Sequence, residues 1–140
     1  MVHPIYWPIA SLLLLGTFGC TPRIESSPSR ISELRSISLV RLYFEAINTQ
    51  NAKILGEILA DNAVVVMDEW SFSGKTNLIK MALGSISSRH CVVQEIRFDH
   101  SRSILVAKVY FPSRADSNNA WTRVLEFTIS NGQISRIYYP

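Results

Sequence analysis

Between Ser32 and Asn48 the apolar positions Leu34, Ile37, Val40, Phe44 and Ile47 recur at steps of three and four residues. That is the period of one helix face, so a first helix is predicted there. After the polar break Thr49-Gln50-Asn51, residues Ile54, Leu55, Ile58 and Leu59 repeat the spacing until Asp61-Asn62, which predicts a second helix packed beside the first. The next run, Ala63 to Met67, is short and β-branched, and Trp70-Ser71-Phe72 follows after two acids. Two strands around a tight connection are predicted. Gly74 introduces a third helix with Leu78, Ile79, Ala82, Leu83 and Ile86 on its apolar face, Ser73 as its cap and an end near Ser85. The remainder reads as four strands, residues 90–98, 104–111, 120–129 and 133–139. Turn residues separate them, and Asn131-Gly132 is a strong hairpin signal. Consecutive hairpins make the sheet mainly antiparallel, and the helices must cover one of its faces, which is an α+β architecture.

The amino terminus changes this picture. The apolar run from Ile9 to Phe18 is about half of the roughly 20 residues a membrane-spanning helix needs. It stops abruptly at Gly19-Cys20-Thr21-Pro22, with proline two residues beyond the cysteine. This segment resembles the lipobox of bacterial lipoproteins in Gly19 and Cys20, whereas Thr17 and Phe18 depart from the usual leucine and small residue. Residues 1–8 also lack Lys and Arg, which export signals normally carry. The resemblance implies a signal peptide over residues 1–19, diacylglycerol and an added acyl chain such as palmitate on Cys20, and location in the bacterial cell envelope, facing the periplasm or the exterior. An uncleaved anchor and ordinary secretion are the alternatives. Residues 20–31, rich in Ser, Pro and Arg, read as a tether from the lipidated cysteine, leaving residues 32–140 as one domain. Two or more hydrocarbon chains anchor a protein stably, so membrane attachment through lipid is the expected partnership.

Charge and cysteine content narrow the classes. The net charge of +3 lies wholly after residue 19, and its Lys and Arg are scattered, with no stripe interleaved with aromatics. Nucleic-acid binding therefore has no support. With Cys20 lipidated, Cys91 has no partner in the chain, and its strand setting predicts a small buried hydrophobe, with a reactive thiol as the alternative.

The order of elements resembles the nuclear-transport-factor-2-like, or SnoaL-like, superfamily. Tyr43-Phe44-Glu45-Ala46-Ile47-Asn48 is similar to the end of that family's first helix, and LGEILADNAVVV, from Leu55 to Val66, to its second helix entering the first strand. Phe72-Ser73-Gly74-Lys75 resembles the segment before the third helix, and Glu126-Phe127-Thr128-Ile129 with Asn131-Gly132-Gln133-Ile134 the closing hairpin. The resemblance implies a cone-shaped fold, three helices on a curved sheet around an apolar cavity. It also implies a range of activities, from ketosteroid isomerases to polyketide cyclases, dehydratases and epoxide hydrolases, so residues must decide. Tyr43 matches the isomerases' tyrosine donor. The position of their base falls on Met67, with Asp68 one residue late and hence on the other strand face, and the second acid falls near Leu125. The isomerase set is incomplete.

Individual candidates follow the same logic. Asp68 and Glu69 read as a turn between strands, where Asp bonds its own backbone. His90 and His100, at opposite ends of one strand, would stand about 30 Å apart, too far to share a metal. Gly74-Lys75-Thr76 echoes a phosphate-binding loop but has Glu69 where the earlier glycine is required. Trp121, Arg123, Leu125, Phe127 and Ile129 share one strand face by alternation, predicted to point inward. Arg123 then either reaches into the mouth of the cavity to hold a carboxylate or packs its stem on Trp121 with its head in water. The expectation is a domain without catalytic residues, cofactor or metal. It binds a small hydrophobic ligand through Tyr43, Met67, Arg123, Leu125, Phe127 and Tyr139, or a protein partner on the open sheet, where a homodimer also fits. The alternatives are a cyclase, dehydratase or isomerase-type enzyme using Tyr43 with Asp68 or Glu69, and a purely structural envelope protein.

Overall fold

The computed structural model describes residues 28–85, 90–112 and 120–140. The expected signal peptide and Cys20 lie outside the described residues. The order is α1 (Pro28–Asn48), α2 (Ala52–Ile58), β1 (Leu59–Met67), β2 (Trp70–Ser73), α3 (Lys75–Ser85), β3 (Val92–Asp99), β4 (Ile104–Phe111), β5 (Trp121–Ser130) and β6 (Gln133–Tyr139). The six strands form one curved sheet in the order β2-β1-β6-β5-β4-β3. Every neighbouring pair is antiparallel except β1 and β6, which run parallel. The predicted α+β class and the mainly antiparallel sheet with three helices are both present.

Two boundaries differ from the sequence reading. Helix α1 already includes residues 28–31, within the stretch assigned to a tether. In this part of the helix Ser32 Oγ donates to the Ser29 carbonyl at 2.8 Å. Helix α2 is shorter than its periodicity suggests, and Leu59 to Asn62 belong to β1. Leu59 pairs with Ile134 of β6, and a register shift before Val64 lets Leu59, Ala60, Ala63 and Val65 all be buried despite the break in alternation. Asn51 caps α2, its side chain accepting from Ile54 N–H at 3.1 Å.

The turns follow their residues. Asp68 has φ 46° in the β1–β2 connection, and Asp68 and Glu69 are both exposed. Asn131 and Gly132 have φ 51° and 74°, the two left-handed positions of a tight hairpin. Among the described residues no helix is long and apolar enough to cross a membrane. The core lies between the helices and the concave sheet face, where Tyr43, Phe44, Ile47, Leu55, Leu78, Leu105, Val109, Leu125, Phe127 and Ile137 are all buried.

Candidate functional site

The strand registers align the concave face in rows. Phe127 pairs with Ile137 and Leu105, Leu125 with Ala107, and Arg123 with Val109. Antiparallel partners point to one side, so Arg123 shares its face with fully buried Val109, Leu125 and Phe127. Tyr139 follows Tyr138, the partner of Glu126, which sets it beside Leu125, and Met67 pairs with Tyr139 across the parallel β1–β6 ladder. Helix α1 supplies Tyr43 from above. Its ring packs edge-on to Phe44 at 5.2 Å and to Phe127 at 5.6 Å between centroids, while Phe44 and Phe127 lie 5.8 Å apart. The structure thus gathers all six residues singled out from the sequence. Tyr43, Leu125 and Phe127 are no more than 1% exposed, closed in as core. Met67 and Arg123 remain half-exposed toward the end of the sheet where β1 and β6 finish and β5 begins.

Polar chemistry at this cluster is confined to a few groups. The Tyr43 and Tyr139 hydroxyls are hydrogen-bonded to each other, with Tyr43 donating. Burial lifts the Tyr43 hydroxyl well above the ordinary tyrosine range, reinforced by the nearby Tyr139 and Cys91. Burial likewise pushes Tyr139 up to about 12, opposed by the bond from Tyr43 and by the charge of Arg123. Both hydroxyls are therefore protonated at neutral pH. Cys91, 4% exposed, is pushed by burial to about 11, so it is a thiol and not a thiolate. The guanidinium of Arg123 lies over the Trp121 ring, 4.7 Å from its centroid, and Trp121 stacks on Phe111 at 4.4 Å and 16°. Arg123 thus lies on the concave side of β5 and packs on Trp121, as its packing reading expects.

Asn48 escaped the sequence reading. Its Oδ1 accepts from the Cys91 N–H at 2.9 Å and lies 3.1 Å from Sγ, while its Nδ2 donates to the Cys91 carbonyl at 2.8 Å. An Asn at a helix end ordinarily signals a cap, and only its place one turn after Phe44 on the inward face hinted at a clamp between α1 and the start of β3.

The remaining candidates lie apart from the cluster. Asp68 and Glu69 are exposed in their turn, so neither accompanies buried Tyr43. His90 is exposed, and His100 meets Glu33 at 3.8 Å and packs against Phe98 at 4.9 Å. Lys75 pairs with Asp61 at 2.7 Å. No group of three His, Cys, Asp or Glu able to hold a metal occurs among the described residues. At the far end of the sheet a groove of about 360 Å³ runs between α1 and the turns, lined by Ser32, Glu33, Phe98, His100, Ser103 and Asn131 among others.

No family model matches the sequence. No curated protein matches it either. Solved structures do. A candidate polyketide cyclase from Sinorhizobium meliloti is similar at TM-score 0.62 and 21% identity, over 74% of this chain and 94% of that one. A candidate ketosteroid isomerase from Kribbella flavida is similar at TM-score 0.67 and 14% identity, over 78% of this chain and 80% of that one. An epoxide hydrolase from M. tuberculosis is similar at TM-score 0.61 and 14% identity, over 78% and 85% respectively. Three chemistries on one scaffold leave activity open, and at these identities the likeness establishes architecture: the chain has the NTF2-like, SnoaL-like fold.

Proposed function

We propose that this chain is a lipid-anchored protein of the bacterial cell envelope whose domain binds a small, mainly apolar molecule on the concave face of its sheet without transforming it. One observation carries the reading. The polar groups at the cluster all keep their protons at neutral pH, namely two tyrosines, the thiol of Cys91 and one arginine, set among apolar side chains, and among the described residues no buried Asp, Glu or His joins them. Enolate, epoxide or cyclisation chemistry needs an acceptor for a proton beside the donor. Donors alone can hold the oxygen of a ligand but not move its proton.

The lipid anchor rests on Gly19-Cys20 and the apolar run before it. A tethered domain of this kind would take up its ligand near a membrane surface. A second reading, a cyclase, dehydratase or isomerase-type enzyme, draws on the printed descriptions of the similar structures and on Tyr43 as an oxyanion donor. It requires a base that the gathered residues do not include.

Mass spectrometry of the protein purified from its native membranes tests both parts. Under denaturing conditions the expected chain begins at Cys20 with added acyl mass, and under native conditions a further non-covalent mass accompanies it. A chain beginning at Met1 would remove the lipoprotein reading. Turnover of a cyclase or isomerase substrate that disappears in Tyr43→Phe would favour the enzyme.

A further inference from the structure

We infer that the ligand of the concave face is an amphipathic monocarboxylate, its apolar part directed at Met67 and Tyr139 and its carboxylate held by Arg123. This rests on the binding reading above and adds the charge and shape of the ligand's polar end. Arg123 sits on the apolar side of β5, in register with Val109, where a cation carries a desolvation cost unless something compensates it. Its guanidinium lies over Trp121, and Trp121 is stacked on Phe111, so its position is supported before any ligand arrives. No ion pair joins Arg123 to a carboxylate among the described residues. By contrast, Arg102 has two such pairs and Lys75 one.

The geometry selects among anions. A planar guanidinium offers two parallel N–H donors that match a carboxylate, and its single charge balances one negative charge. Tyr139 stands beside Leu125, two residues from Arg123 on the same strand face, and the charge of Arg123 acts to lower its pKa. A phosphate monoester, carrying close to two negative charges at neutral pH, would be left half-neutralised against an apolar wall. Beside the fork, Met67 is a partly exposed apolar side chain next to the buried ring of Tyr139, which favours a hydrocarbon or aromatic body.

The test is isothermal titration of the folded protein with hexanoate, octanoate and decanoate, each against the alcohol of equal length and against decyl phosphate. The expected result is that the carboxylates bind about tenfold or more tighter than the alcohols and tighter than decyl phosphate. That preference should vanish in Arg123→Met and be only partly restored in Arg123→Lys, which keeps the charge but loses the fork. Circular dichroism establishes that each variant is folded. Equal binding of acid and alcohol by the native protein would overturn the carboxylate assignment while leaving the binding reading intact. Decyl phosphate binding as tightly as decanoate would overturn the choice of carboxylate over phosphate. Failure of every ligand to bind would remove the binding reading, and this inference with it.

Discussion

Two arginines, one in a turn and one on the concave face of the sheet, show how placement decides what a charge is for. Arg102, in the turn between β3 and β4, donates from Nε to Asp99 at 2.9 Å and from Nη1 to Glu126 at 2.7 Å. Glu126 lies on the convex face, so the pair sits in solvent and its charges are mutually satisfied. Arg102 holds Asp99 below the usual carboxylate range after the Ser101 hydroxyl, and both carboxylates raise Arg102 in turn. Arg123, on the concave face three residues before Glu126, meets an indole instead of an acid. The first arginine closes a turn, whereas the second forms no ion pair with a carboxylate among the described residues and is the group assigned above to the proposed ligand.

The largest effect is expected in the core on the strand face that Arg123 shares. Phe127→Ala deletes a ring that touches Tyr43 and Phe44 in the packed interior, and unfolding in denaturant should show a loss of about 3–5 kcal/mol. Next comes the tyrosine pair. Tyr139→Phe leaves the buried Tyr43 hydroxyl without its acceptor, at a cost of about 1–3 kcal/mol. The double variant with Tyr43→Phe should recover part of that loss, since it removes both partners. A double variant less stable than the single would show that the two hydroxyls are not partners.

Alkaline pH sharpens the contrast further. Cys91 and Tyr139 have folded-state values of about 11 and about 12 against ordinary values of 9.0 and 10.0. The folded state therefore holds their protons more tightly. Their contribution to stability is complete below pH 9 and is lost as pH rises toward 12. Denaturant midpoints measured across that window should fall, and the fall should be shallower in the Tyr43→Phe, Tyr139→Phe double variant. The smallest effect is expected at Arg102→Met, which leaves ligand affinity unchanged by titration and alters stability little, because an exposed ion pair contributes little.

Much of this architecture was legible in the chain. The inward face of β5 followed from strict alternation over Trp121 to Ile129, and the β5–β6 hairpin followed from Asn131-Gly132, because only left-handed residues close so short a turn. The six gathered residues were legible as members of one face or one helix stripe. What alternation could not convey was depth. Leu125 and Arg123 share a face, yet one is sealed and the other half-open, because depth depends on where α1 and the sheet ends fall in three dimensions. The start of β1 was obscured for a related reason: Leu59 continues a helical period locally but is captured by Ile134, far along the chain. The clamp of Asn48 on Cys91 joins positions 43 residues apart and leaves no local signature.

The central claim is that a ligand sits on the concave face at Arg123. Chemical-shift mapping of isotopically labelled protein titrated with decanoate tests it most directly. The account predicts the largest shifts at Met67, Trp121, Arg123 and Tyr139. Shifts concentrated instead at Ser32, Glu33 and His100, in the groove at the far end of the sheet, would contradict it.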